Sequence, residues 1–379
     1  MKRLEKLLAE FCPDGVEYIP LGEVCRRRNG TSITAGQMRQ LAVENGDVRV
    51  FAAGETVVDV AATVIPEKDI IREPGIVVKA RGYIGFEYCV KPFTHKNELW
   101  SYTALKDGID LKYVFFYLMT QADRLQYVAR SKSVKLPQLS ISDTDVLPIP
   151  LPPLAIQKEI VRILDGFTGL IDELEEELAA RQKQYEQYRE KLLAFDDGVE
   201  WKKLGDVCVI LDSERKPVSQ KNRVNGQYPY YGANGIQDYV DGFIFDGIYL
   251  LVGEDGSVIT ANGNPILTWA EGRIWVNNHA HVLKEIRGTK LRYLYHYLHT
   301  ADISKFVRGM PPKLNQENLV KIDVLVPPIA EQQRIIEILD KFDALCNDET
   351  VGLAAEIAAR KKQYEHYREK LLTFKKKAS

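Results

Sequence analysis

RQKQYEQYREKLLAF at residues 181–195 recurs as RKKQYEHYREKLLTF at residues 360–374, with twelve of fifteen positions identical. Chance does not produce a match of this length, so the chain contains an internal duplication whose spacing sets the architecture. The sequence therefore predicts a globular module followed by a long helix, and then the same arrangement again.

Two further pairs of segments frame the repeat. LPPLAIQKEIVRILDGF at 151–167 and VPPIAEQQRIIEILDKF at 326–342 precede the two long helices. VEYIPLGEVC at 16–25 and VEWKKLGDVC at 199–208 open the two modules. Between these markers the sequences diverge, which predicts two modules with one architecture and different specificities.

Weaker echoes lie inside the modules and at the start of the chain. KLPQL from Lys135 pairs with KLNQE from Lys313 in the two modules. EKLLAEF from Glu5 resembles the ends of both long repeats. The N-terminus is therefore expected close to residue 374, in a nearly cyclic layout.

The spacing of apolar residues predicts coiled-coil helices. Ile160, Leu164, Phe167, Ile171 and Leu174 follow one another at alternating intervals of four and three residues, which forms a heptad seam. The second copy contains four additional residues between its matching Phe and Arg, and these predict one extra helical turn that locally unwinds the supercoil. Gly352 beside them could instead mark a break in the helix.

The expected fold class is α/β. Two mostly-β α/β modules are separated by two long antiparallel coiled-coil helices, related by a pseudo-two-fold internal repeat. The repeat markers place a first module at residues 1–150, a central helix at 151–198, a second module at 199–325 and a distal helix at 326–379.

Polar loops in both modules combine cations with hydroxyl, amide and phenol groups. Such side chains suit contacts with phosphates and base edges, although each could equally be an ordinary solvated or core-packed residue. The candidate DNA-binding residues are Lys79, Arg81, Tyr83, Arg130, Lys132, Ser133 and Lys135 in the first module and Arg215, Lys216, Tyr230, Tyr231, Asn234, Arg273, Arg308, Lys313 and Asn315 in the second.

Composition excludes some classes and leaves others open. The formal net charge is −2, so nucleic-acid binding would have to depend on local clusters of cations. No apolar run is long enough for a transmembrane helix, and no secretory signal is recognisable. Five cysteines without motif spacing indicate a reduced, cytoplasmic protein.

Catalytic motifs are not recognisable. The chain contains no P-loop, no dinucleotide-binding glycine pattern and no amino-methyltransferase motif. Asp212-x-Glu214-x-Lys216 weakly resembles a nuclease metal site, and His279-x-His281 could bind a metal, but neither has further ligands at suitable spacing. We therefore expect no metal, no cofactor and no catalysis in this chain.

The duplicated segments resemble the specificity subunits of type I restriction-modification systems. The resemblance is carried by Pro152–Gln157 and Pro327–Gln332, each followed by Ile-Leu-Asp-x-Phe, together with the repeated Tyr-Arg-Glu-Lys-Leu-Leu tails and the module openings. It covers the whole chain. The first copy departs from the Glu-Gln form that the second copy shows at Glu331–Gln332.

This resemblance implies a DNA-recognition role. Each module would be a target recognition domain that reads one half of a bipartite site in double-stranded DNA, and the helices would set the spacing. Two methyltransferase subunits carrying S-adenosylmethionine would dock, and restriction subunits would add ATP- and Mg-dependent cleavage. The candidate partner contacts are Gln157, Gln332, Tyr185, Tyr188, Tyr364 and Tyr367.

Two alternatives from other classes remain at this point. A coiled coil of this length could belong to a scaffold or interaction protein without DNA specificity. The chain could also be an enzyme, such as a methyltransferase, with a site that its sequence does not reveal.

Overall fold

The chain folds as two compact units. The computed structural model describes residues 2–132, 135–195, 198–348 and 350–377. Unit 1 comprises Met1–Glu173 and Ile357–Ser379, and unit 2 comprises Leu174–Glu356. Each unit thus combines one module with parts of both helical segments, whereas the repeat markers assign each helix to a segment of its own.

The module of unit 1 is mostly β, with short helices between its strands. In chain order the α-helices and strands are α1 (Lys2–Phe11), β1 (Tyr18–Pro20), α2 (Leu21–Val24), β2 (Cys25–Arg28), α3 (Ala35–Leu41), β3 (Val48–Phe51), β4 (Val57–Val60), β5 (Gly75–Lys79), β6 (Gly85–Cys89), β7 (Phe93–His95), β8 (Trp100–Ala104), α4 (Leu111–Thr120), α5 (Ala122–Lys132), α6 (Ile141–Asp145) and β9 (Pro148–Pro150). Strands β2, β8, β5 and β6 form one sheet in that order, β4, β3 and β7 form a second, and β1 pairs with β9.

Unit 2 repeats this plan with a larger sheet. The long helix α7 (Leu154–Leu193) is followed by β10 (Glu200–Lys203), α8 (Leu204–Val207), β11 (Val209–Ile210), β12 (Asn225–Gly232), β13 (Gly235–Val240), β14 (Phe245–Gly253), β15 (Leu267–Val276), β16 (Ala280–Lys284), α9 (Leu291–Leu298), α10 (Gln316–Leu319), β17 (Asp323–Val326), α11 (Ile329–Asn347) and α12 (Leu353–Leu372). The strands of the larger sheet are ordered β11-β16-β14-β15-β12-β13, and β10 pairs with β17.

The backbone confirms the duplication and corrects one detail of its alignment. Leu139 donates its N–H to the carbonyl of Ala80, and Leu314 donates to that of Glu254. These equivalent bonds align PQLS at 137–140 with PKLN at 312–315. The sequence pairing of KLPQL with KLNQE is therefore wrong by three residues, because it relied on a shared Lys-Leu dipeptide.

The N-terminal helix lies beside the end of the chain, as the sequence predicts. Leu4 belongs to the same buried cluster as Leu371 and Leu372. Val16 donates its N–H to the carbonyl of Lys375, and the Tyr18 hydroxyl donates to that of Phe374. The two ends of the described chain are thereby joined within unit 1.

The helical seams are aromatic and antiparallel. In unit 2, Phe342 of α11 packs against Tyr188 of α7, with ring centroids 5.2 Å apart. One to two turns away, Cys346 lies near Arg181. Residue numbers therefore increase in opposite directions along α7 and α11, so the two helices are antiparallel. In unit 1, Phe167 stacks on Tyr367 at 5.3 Å.

The distal helix is broken near Gly352, which is the second of the two interpretations that the sequence allows. It consists of α11, which ends at Asn347, and α12, which begins at Leu353, and is not one rod with an extra turn. The Gly352 N–H donates to the carbonyl of Asp348 at 3.0 Å. A Cβ at Gly352 would come within 2.6 Å of that oxygen, so the junction requires glycine.

Two equivalent glutamines join each helix start to its module. Gln157 accepts the N–H of Asp110 and donates to the carbonyls of Gly108 and Pro152. In the second copy, Gln332 accepts from Lys290 and donates to Gly288 and Pro327. Both side chains are buried. Their expected role as partner contacts is therefore corrected, because their polar atoms are used inside the protein.

Among the described ranges, every helix is too short or too polar to traverse a lipid bilayer.

Replacing Gln332 with methionine, which has nearly the same volume, should lower the free energy of unfolding of unit 2 by about 3 kcal/mol, because buried backbone groups lose their partners. Urea unfolding followed by tryptophan fluorescence measures the change. The neighbouring exposed residue provides the control: Gln333→Met should change stability by less than about 0.5 kcal/mol. Equal effects of the two substitutions would contradict a structural role for Gln332.

Candidate nucleic-acid interface

Equivalent backbone bonds bring two loops together in each unit. In unit 1, the loop after β5 contacts the segment that precedes α6. Arg81 and Gln138 form an isolated antiparallel β-bridge, and the Gly82 N–H donates to the carbonyl of Pro137 at 2.9 Å. In unit 2, Asp255 and Lys313 form the equivalent backbone β-bridge, and the Gly256 N–H donates to the carbonyl of Pro312 at 3.0 Å.

The loops of unit 1 present cations and aromatic rings to solvent. Arg81 and Lys135 are exposed, and Tyr83 is 79% exposed. Helix α5 is fastened to the same loop, because the Gln126 side chain accepts the N–H of Ile84 and donates to the carbonyl of Gly82. The next residue, Tyr127, is 75% exposed. We call Arg81, Tyr83, Tyr127 and Lys135 the first loop surface.

Sequence reasoning missed Tyr127, although a signal was present. Leu125 and Ala129 form the buried stripe of α5 at helical spacing. Tyr127 lies between them in sequence and therefore falls on the opposite face. An aromatic ring on a polar helix face next to Arg130 could have been selected on this ground.

Other candidates of the first module have different environments. Lys79 is buried, its Nζ donates to the Gly54 carbonyl at 2.9 Å, and burial lowers the pKa of its ammonium group. We therefore remove it from the interface. Lys132 forms an ion pair with Asp143, while Arg130 is exposed. Ser133 lies outside the described residues.

In unit 2 the joined loops carry a different set of side chains. Arg308 and Lys313 are exposed on one loop. Asn234, in the turn between β12 and β13, reaches the neighbouring loop when its amide nitrogen faces the Ser257 carbonyl at 2.9 Å. His279 contacts Asp255 at 2.6 Å. We call Asn234, Asp255, His279, Arg308 and Lys313 the second loop surface.

The tyrosines proposed in this module are structural, which corrects their assignment. Tyr230 is buried, and its hydroxyl accepts the N–H of Val218 at 2.9 Å. The Tyr231 side chain belongs to a buried cluster, and burial raises the pKa of its hydroxyl. Both rings stabilise the sheet and are not presented to a partner.

The other candidates of the second module are exposed, and each also contributes to contacts within the fold. Arg273 pairs with Asp246 at 3.2 Å and lies over the ring of Phe243. Lys216 is exposed, with its carbonyl accepting the indole N–H of Trp275. Asn315 caps α10 by accepting the N–H of Asn318, so at least one of its polar atoms serves the fold.

Beneath the second loop surface lies a buried ionic cluster. His281 contacts Asp212 through Nδ1 at 2.5 Å and the Leu314 carbonyl through Nε2 at 2.7 Å. Arg215 donates to Glu254 at 2.7 Å. Lys313 pairs with the other oxygen of Glu254 at 3.1 Å. Arg215 is therefore an internal cation, not the DNA contact that the sequence suggested.

This cluster brings together side chains that could coordinate a metal. Ligand atoms of Asp212, Glu254 and His281 lie within 4.8 Å of one another. However, both nitrogens of the imidazole already face oxygen atoms, and Arg215 and Lys313 supply positive charge to the carboxylates. The donor set therefore fits an internal salt-bridge network better than a cation site, in which positively charged neighbours would oppose binding.

The tyrosines proposed as partner contacts divide into two groups. Tyr185 is buried, lies 3.3 Å from His296 through its hydroxyl, and has its pKa raised by burial. Tyr364 and Tyr367 are partly buried against the core of unit 1. Tyr188 is 42% exposed and is the member of this set most accessible to a partner.

Comparison with known proteins now identifies the family. The model of the type I restriction modification DNA specificity domain matches residues 13–181 and again residues 196–359. The chain belongs to this family. Both matches begin near a module opening, in agreement with the duplicated loops described above.

Relatives in the type I restriction-modification family match either nearly all of the chain or about half of it. The EcoR124I/EcoR124II specificity subunit of Escherichia coli is 30% identical, over 99% of this chain and 98% of its own. A relative from Haemophilus influenzae is 42% identical, but over only 49% of each chain. The S subunit of M. genitalium superposes with a TM-score of 0.67 at 16% identity, covering 94% of this chain and 96% of that one, which supports the fold.

Removing one member of the buried ionic cluster should lower the free energy of unfolding of unit 2. Asp212→Ala would remove the carboxylate that His281 contacts at 2.5 Å and one of the two carboxylates that face Arg215. It should destabilise unit 2 by about 3–5 kcal/mol, as for other broken buried ion pairs. Thermal unfolding measures this. Asp246→Ala, which removes an exposed partner of Arg273, should cost less than about 1 kcal/mol. A similar loss for both variants would argue against the cluster.

Proposed function

We propose that this chain is the DNA-recognition subunit of a type I restriction-modification assembly, in which each unit reads one half of a bipartite, asymmetric target. The observation that carries the proposal is the repeated pair of joined loops. The same backbone bonds hold these loops in both units, while the side chains that they present differ. A shared frame with different contacts suits two unlike half-sites.

The chemistry of the two loop surfaces supports DNA as the ligand. Arg81 and Lys135 in unit 1, and Arg308 in unit 2, are exposed cations suited to phosphates or guanine edges. Because the amide nitrogen of Asn234 faces Ser257, its amide oxygen is the group suited to accept from the exocyclic amino group of a base. The whole chain carries a formal net charge of −2, so these local groups would supply the attraction.

The helices would set the distance between half-sites and dock the methyltransferase subunits, with Tyr188 as a candidate contact. In this proposal the chain has no catalysis of its own. Two methyltransferase subunits would bring S-adenosylmethionine, and restriction subunits would bring ATP- and Mg-dependent cleavage. The assembly would act on DNA in the cytoplasm.

Exchanging residues 16–150 for the corresponding module of another family member should change one half of the target and leave the other half intact. Each unit has its own core, so an exchanged module should keep its local contacts. Sequencing of methylated DNA from cells carrying the assembled system measures both halves at once.

The reciprocal exchange of residues 199–325 is the matched control and should change only the opposite half. Altered reading of both halves by either chimaera would refute separate half-site recognition. Absence of sequence-selective methylation or duplex binding by the unmodified assembly would refute the proposed function and favour a scaffold.

Lengthening the helices in register should lengthen the spacer. Seven residues inserted both after Glu173 in α7 and after Glu356 in α12 preserve the heptad pattern and add about 10 Å to each helix. At about 3.4 Å per base pair, the preferred spacer should grow by about three base pairs. Methylated-DNA sequencing would show this.

Four-residue insertions at the same two positions serve as the control, because they shift the seam out of heptad register and should weaken or abolish recognition. A seven-residue variant that remains active on the original spacer would contradict the proposal that the helices measure distance.

A further inference from the structure

The loop between Arg308 and Lys313 carries Met310 at its tip, a residue that is not part of the second loop surface. Met310 is 100% exposed. It therefore contributes no buried apolar surface to unit 2. Its two neighbouring cations, Arg308 and Lys313, are both exposed, so an apolar tip is flanked by positive charge.

This tip is held in a defined conformation. Arg308 and Lys313 exchange two backbone hydrogen bonds, of 2.9 and 2.8 Å, which close the loop at its base. Gly309 has a φ of +83°, a value that favours glycine. Pro311 and Pro312 restrict the backbone further. A preorganised loop loses little conformational entropy when it binds.

The base of the loop is anchored in the ionic cluster. The Leu314 N–H donates to the Glu254 carbonyl at 2.7 Å, while the Leu314 carbonyl contacts His281. Lys313 adds an ion pair with the Glu254 carboxylate. The buried network thus positions a short loop whose outermost side chain touches nothing in its own unit.

We propose that Met310 is a base-contacting residue of unit 2 and that its thioether side chain packs against a base pair of the second half-site. The inference rests on the DNA-recognition role proposed above. Arg308 would contact a neighbouring phosphate. At the tip, an apolar side chain suits the thymine methyl group in the major groove or the gap between base pairs in the minor groove.

The test uses the full chain assembled with its methyltransferase partners and a duplex carrying the target found by methylated-DNA sequencing. Met310→Ala should weaken binding roughly 10-fold, the loss expected for an apolar side chain of this size. Met310→Leu should restore most of the affinity. Val224→Ala, which shortens another exposed apolar side chain of unit 2, should leave it unchanged.

Base analogues then distinguish the two forms of contact. If Met310 meets a thymine methyl, deoxyuridine at that position should weaken wild-type binding about 4-fold, as expected for one methyl group, and should not weaken Met310→Ala further. If Met310 inserts between base pairs, 2-aminopurine in the half-site should brighten with the wild type and not with Met310→Ala.

Either analogue signal supports the proposal. Unchanged affinity of Met310→Ala overturns it, provided that the unmodified assembly still selects its target. Weaker binding without either signal overturns it too, because the contact would then lie outside the bases. Loss of methyltransferase assembly in Met310→Ala, with no analogue signal in the wild type, would assign the tip to a protein partner instead. Failure of the unmodified assembly to prefer any sequence would refute the underlying function.

Discussion

A buried glutamine at the start of each helical segment is the interaction on which the architecture depends. Gln157 and Gln332 each bind the turn before the module's helix and the carbonyl of the first proline in the Pro-Pro pair. An amide is suited to this task because it donates and accepts from one rigid group. The same three bonds in both copies fix how each module meets its own helix.

This constraint leaves the far end of each module free to vary. The loops after β5 and β14 keep their backbone bonds to the segments before α6 and α10. Because backbone groups make these bonds, the side chains can change without loss of geometry. Arg81 and Gln138 in unit 1 occupy the positions of Asp255 and Lys313 in unit 2, so the side-chain chemistry has diverged on one frame.

The two units stabilise this frame by different means. Unit 1 fastens its loop through the neutral amide of Gln126. Unit 2 uses buried charges, with His281 and Glu254 contacting the segment that carries Lys313. A network of this kind costs desolvation but fixes a specific arrangement when every member is paired. The buried charges of unit 2 therefore hold the base of the Met310 loop in one arrangement.

The sequence by itself determined the duplication, the mostly-β α/β modules, the heptad helices and the position of the N-terminus beside residue 374, because all of these follow from repeated patterns. It also selected Arg81, Arg308 and Lys313 correctly as exposed groups. Only the tertiary structure decided which polar residues are internal: Lys79, Arg215, Gln332 and Tyr230 carry the same chemistry as surface contacts. Whether a polar side chain contacts a backbone carbonyl or solvent depends on segments that are far away in sequence. A local sequence pattern does not show which segments these are.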